Sequence, residues 1–149
     1  MTLLRPQSRA RQGAGDGGAS ERWSWPEKLD ALVAAPRHHR LLFENERVRV
    51  LDTRIAPGDT VPVHTHRWPA VHQVMSWSDF VRRDADGKVT ADTRGRPAPA
   101  QLPAAMWGEA LPPHTLENVG SAELHVVSIE LKDAPAHFLV KPNSASPNH

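Results

Sequence analysis

Between residues 40 and 131 no apolar pattern keeps a helical period, whereas short β-branched runs recur, each cut by glycine, proline or aspartate. Val48–Ile55, Thr60–His66, 70–75, 80–83, Val89–Asp92, 103–107, 114–116 and Leu124–Leu131 read as strands. Pro57-Gly58-Asp59 and Asn118-Val119-Gly120-Ser121 are turns between them. The 84–88 segment is a hairpin loop with Gly87 where a positive φ is needed. Eight or nine short antiparallel strands in about ninety residues is the count of a jelly roll or barrel. The predicted fold is all-β, a double-sheet jelly-roll barrel over 38–131 with one short helix before it.

The flanks differ from this body. Residues 1–20 have no periodic apolar pattern and hold four glycines between Gly13 and Gly18, the composition of a disordered arm. In 21–36, Ser24 and Glu27 fit a capping box, Leu29, Leu32 and Val33 share one helical face, and Pro36 stops the pattern. This predicts a helix over 25–35. Residues 132–149 carry Pro135, Pro142 and Pro147 and read as an irregular tail.

Composition removes several functions. There is no cysteine, hence no disulfide, thiolate metal site or cysteine nucleophile. Eighteen Lys+Arg against seventeen Asp+Glu, interspersed, give a net charge of +1 and no basic stripe for nucleic acid. No apolar run approaches the ~20 residues of a membrane helix, and an apolar signal core is missing. A cytoplasmic protein handling a small molecule, as a monomer or homodimer, is the expectation.

The chemistry lies in the histidines, nine in all. His64 and His66, at i and i+2 on a predicted strand, project to one side with Cα atoms ~6.5–7 Å apart. That allows both to reach one ion with bonds of about 2.0–2.2 Å. His114 follows behind Pro112-Pro113, four residues before Asn118.

The run PGDTVPVHTHRWPAVHQV resembles the first motif of the cupin superfamily, G-x5-H-x-H-x3,4-E-x6-G. The run GEALPPHTLENVG resembles the second, G-x5-P-x-G-x2-H-x3-N. Gly58, His64, His66, His114 and Asn118 fit; the motif glutamate is replaced by Ala70 or Val71, and the P-x-G of the second motif by Glu109-Ala110-Leu111. The resemblance implies the cupin barrel and, by position, three ligands (His64, His66 and His114) with no carboxylate. Three neutral imidazoles converging without an ion would be poorly satisfied, which favours a divalent metal. An open facial site suits Fe(II) best, and Zn, Ni, Mn or Cu also accept imidazole.

His72 shares the strand face of position 70 and is the candidate catalytic residue, able to reach the ion if a bulge forms at Pro69, or else to line the pocket. Arg54 and Trp107 are candidate substrate-binding residues, by bidentate contact to a carboxylate and by stacking. Trp68 and Trp77 read as packing. Glu109 and Glu117 flank the second motif as secondary acid–base candidates. Arg82-Arg83 beside Asp84 and Asp86 reads as a charged surface hairpin. His38, His39, His125, His137 and His149 show no ligand spacing. Two functions fit: a metal-dependent dioxygenase or isomerase acting on a small organic molecule, or a non-catalytic barrel that binds a small metabolite or serves as an accessory protein.

Overall fold

The structure is a computed structural model describing residues 23–132. The arm expected over 1–20 and nearly all of the tail expected over 132–149 lie outside the described residues. Among the described residues nine strands follow one another: β1 (His39–Glu44), β2 (Val48–Ile55), β3 (Thr60–His66), β4 (Ala70–Ser76), β5 (Phe80–Asp84), β6 (Val89–Asp92), β7 (Ala104–Gly108), β8 (Leu111–Asn118) and β9 (Leu124–Leu131). They form two antiparallel sheets, β1-β2-β9-β4-β7 and β3-β8-β5-β6. This is the expected jelly roll. No helix among the described residues is long and apolar enough to cross a membrane.

The helix predicted over 25–35 is a correction. The chain makes a 3-10 turn at Glu27–Leu29 and a single α-turn, α1, at Ala31–Ala34. Ser24 caps neither; Asp30 does, accepting from the Leu32 amide at 3.0 Å. Asp30 also takes both terminal nitrogens of the buried Arg49 guanidinium at 2.9 Å, which ties this segment to β2. An anchored aspartate in extended backbone divides what the periodicity reads as one helix.

β8 is longer than the predicted 114–116. Pro112 and Pro113, which lack an N–H, fall between the β3 pairings His66–Leu111 and His64–His114, and β5 begins pairing only at His114. Two prolines are thus accommodated inside a strand.

Register sets the gradient that makes the site. Across the first sheet, Ile55 opposes Leu124, Thr53 opposes Val126, Leu51 opposes Ser128 and Arg49 opposes Glu130; β4 continues the rows with Val74, His72 and Ala70. In the second sheet Val61 faces Leu116, and His64 faces His114. The inward faces therefore run from apolar at one end to polar at the other. Ala35, Ile55, Val61 and Leu124 form the apolar cluster, with Trp77, Phe80, Leu116 and Val126 packed against it.

Asn118 joins three loops at the apolar end. Its side chain is fully buried, donates to the Ile55 and Ala122 carbonyls (2.8 Å each), and accepts from the Ser78 hydroxyl (2.7 Å) and the Gly120 amide (3.0 Å). Beside it Gly58 turns at φ +79°, its amide donating to the Asn118 carbonyl at 2.9 Å. Asn118 holds the β2–β3 turn against the loop before β9.

Candidate metal centre

Four imidazoles meet at the polar end of the barrel. His64 lies 5.0 Å from His66 and 4.2 Å from His114 between ring centroids; His39, from β1, lies 4.9 Å from His64 and 5.3 Å from His66. His39, His64 and His66 offer ligand nitrogens within 4.8 Å of one another. His114 is tilted by 52° against His64 and lies 5.6 Å from His66. The sequence assigns His39 no role, yet the structure places it among the three rings whose ligand nitrogens lie together.

What the other ring nitrogens do is informative. Nδ1 of His64 and of His114 lies 2.7 Å from the carbonyl two residues back, Pro62 and Pro112 respectively; Nδ1 of His39 lies 3.1 Å from the Ala35 carbonyl. A carbonyl only accepts, so each Nδ1 carries the proton and each Nε2 is a bare lone pair. Nδ1 of His66 faces Glu130 Oε2 at 3.4 Å. Burial lowers all four imidazole pKa values, and the neighbouring histidines press His39, His66 and His114 further: His39 falls from 6.5 to about 3 and His114 to about 2. The cluster is neutral at pH 7. Convergent, unprotonated nitrogens with their partner nitrogens already engaged are the donor set that a divalent transition metal takes.

A carboxylate is present after all. Position 70, where the motif glutamate is missing, stands opposite Glu130 of β9 in register. Glu130 is 1% exposed, accepts from Arg49 Nε at 2.6 Å and turns its other oxygen to His66. Burial raises its pKa, and Arg49 opposes that. The expected ligand set without a carboxylate is therefore incomplete as a description of the site, because the acid reaches the histidines from the neighbouring strand.

Below the imidazoles lies a cavity of about 610 Å³, lined by residues of both sheets, including His72, Trp77, Phe80, Arg82, Trp107 and Val126. No family model and no curated protein matches this chain. A cupin domain from Bordetella pertussis Tohama I is similar to it in structure, with a TM-score of 0.50 and 23% identity over 63% of this chain and 91% of that one. The chain has the cupin fold. A cupin superfamily protein from Desulfitobacterium hafniense DCB-2 gives 0.43 and 17% (64% and 76% covered). The polyketide cyclase RemF from Streptomyces resistomycificus gives 0.41 and 16% (66% of each).

The remaining residues sort themselves around the cupin barrel. His72 faces inward, but the β4 ladder runs unbroken from Ala70 to Val74, so no bulge swings it towards the imidazoles. Its Nδ1 instead lies 2.7 Å from the Ser128 hydroxyl in the same row. Arg54 is a correction: it is one residue out of phase with the inward Thr53 and Ile55, lies on the outer face, and donates to Asp52 (3.1 Å) and Glu123 (3.2 Å). Trp107 lines the cavity, half-exposed, and donates to Glu109 at 2.8 Å. Glu117 is held by Arg83 at 3.3 Å. Trp68 has three cations near its ring centre, Arg49 at 5.0 Å, Lys132 at 5.4 Å and Arg67 at 5.6 Å.

His72 occupies space that a side chain at 108 would claim. A Cβ on Gly108 would stand 2.3 Å from His72 Nε2, so any larger residue there must displace the ring. Gly108→Ala is expected to keep the fold but break the His72–Ser128 bond, costing about 1 kcal/mol. The check is the His72 imidazole resonance, which should move as it does in Ser128→Ala; an unmoved resonance overturns it.

Proposed function

We propose that this cupin binds one divalent transition metal through His39, His64, His66 and His114 and acts on a small organic molecule as a dioxygenase or isomerase. The observation that carries the reading is the fixed tautomer: backbone carbonyls hold the Nδ1 protons of three rings and leave their Nε2 lone pairs free, in a cluster where His39, His64 and His66 offer ligand nitrogens within 4.8 Å of one another. Fe(II) is the first choice for such an all-imidazole site, with Zn, Ni, Mn and Cu as chemical alternatives. The metal would supply Lewis acidity and open positions for a bidentate substrate.

The chain's own residues supply the rest. Glu130 orients His66 and places negative charge behind it, as carboxylates do behind histidine ligands. His72, kept neutral by burial and by the charge of Arg82, is the group available to accept a substrate proton; Ser128 fixes its ring. Trp77, Phe80 and Val126 make the chamber floor apolar and exclude water.

Metal analysis of protein reconstituted anaerobically with Fe(II), Zn or Ni is the test. One ion per chain is expected, with loss of binding in His64→Ala and a roughly 10–100-fold weaker affinity in Glu130→Gln. A protein that takes up none of these metals is the second, non-catalytic binding barrel instead.

A further inference from the structure

Arg82 is a guanidinium that lines the cavity, and among the described residues no acid pairs with it. The sequence reads Arg82-Arg83 as one charged surface hairpin, yet alternation along β5 separates the two. Arg83 pairs outward with Glu117, while Arg82 shares the inward face with Phe80 and lines the cavity. Across the sheet Arg82 stands opposite Leu116, and His114 is the next inward residue on β8. Diagonal neighbours of this kind are about 7–8 Å apart at the backbone, within reach of a side chain as long as arginine.

Among the described residues no carboxylate forms an ion pair with Arg82. Its one side-chain hydrogen bond there is long, 3.4 Å from Nε to the Thr90 hydroxyl, and the two terminal nitrogens find no acceptor among the described residues. Asp84, the nearest acid along the strand, uses its carboxylate on the Asp86 and Lys88 amides at 2.9 Å, closing the hairpin. Glu130 is already matched by Arg49. Burial lowers the Arg82 pKa, but a guanidinium remains charged at neutral pH. Arg96 adds a second cation to the lining. A partly buried cation without a counterion is costly, and the imidazoles, being neutral, do not offset it. The lining carries two guanidiniums, Arg82 and Arg96, against one carboxylate, Glu109, which accepts from Trp107; the chamber is net cationic and otherwise mostly apolar, a combination that suits an anion with an apolar body.

We propose that Arg82 anchors the carboxylate of an apolar organic acid, whose body lies against the Trp77–Phe80–Val126 wall and whose other end faces the imidazoles. This rests on reading the cavity as the substrate chamber, and it names the substrate class. The planar fork of arginine suits a bidentate carboxylate, and the apolar wall suits an aryl or alkyl body better than a bare inorganic anion.

The test uses chelator-treated protein, so that a carboxylate on the metal contributes nothing. The probes are 3-phenylpropanoate, 4-phenylbutanoate and 2-naphthoate, each beside its neutral amide, followed by calorimetry and by tryptophan fluorescence. At least one acid should bind roughly 10–100-fold tighter than its amide, the range of a hydrogen bond to a charged group. Arg82→Gln should erase that preference while amide affinity stays within about twofold, and Arg82→Lys should keep part of it. Acids and amides binding alike, no acid binding at all, or a preference that survives Arg82→Gln each overturns the assignment. Thermal melts check that both variants fold. Because no metal is present, failure of the metal reading leaves this result unchanged; and if Arg82→Gln takes up metal like the parent, the two sites are separable.

Discussion

Asn118→Leu is expected to lower the unfolding free energy by about 4 kcal/mol while leaving the imidazoles in place. Leucine keeps the branched skeleton of asparagine, but its methyls are bulkier than the amide oxygen and nitrogen, so overpacking adds to the loss. The larger part comes from partners left behind: the Ile55 and Ala122 carbonyls, the Ser78 hydroxyl and the Gly120 amide each lose the Asn118 amide at once. An unpaired buried polar group costs about 1–3 kcal/mol, and those nearest the surface recover some of it from water. For a barrel of this size the melting temperature should fall by about 16 °C. Urea melts with and without the substitution measure it. A loss under about 1 kcal/mol would mean that the loops hold without the asparagine.

Acid should unfold the metal-free protein well above the pH at which its carboxylates titrate. His39 and His114 are held near 3 and 2 by burial and by their neighbours, against 6.5 in the unfolded chain. Below pH 6.5 the unfolded state therefore binds more protons than the folded one, and stability falls as pH falls, down to the folded values. At pH 5 each of the two residues has cost about 2 kcal/mol relative to pH 7.5, about 4 together. His64, His66 and His72 are lowered as well and add in the same direction. Small domains have about 5–15 kcal/mol in total, so much of the stability is gone by pH 5. Chelator-treated protein melted in urea at pH 7.5, 6 and 5 gives the slope; a flat profile would sink the prediction. Bound metal should shift the loss to lower pH, since protons and metal compete for Nε2.

Much of the barrel is legible in the sequence because strand phase and turn chemistry agree. β2, β3, β6 and β9 have the predicted limits, and Gly58 and Gly87 adopt the positive φ that their turns require. The site is less legible, for a physical reason. His64 and His66 share a strand, so their spacing is a statement about geometry. His39 reaches them from β1 at the far edge of the other sheet, and no linear spacing records that. Arg82 is hidden by company: beside Arg83 and Asp84 it looks solvated, although its period-2 relation to Phe80 points inward. Arg49 and Glu130 neutralise each other across β2 and β9, so neither stands out alone.

The Ala70–Glu130 pairing also bears on how such barrels can vary. Directly opposed residues on antiparallel strands hold their Cβ atoms about 4.5–5.5 Å apart, too close for two ionised carboxylates in a buried row. A second acid at position 70 would therefore share a proton with Glu130, one of the two carboxyls staying neutral, so that the charge delivered to the imidazoles changes little. Substitutions at these two places are coupled in sign, each harmful alone and tolerated together. In this chain the acid stands next to the motif position in space although sixty residues separate the two along the sequence.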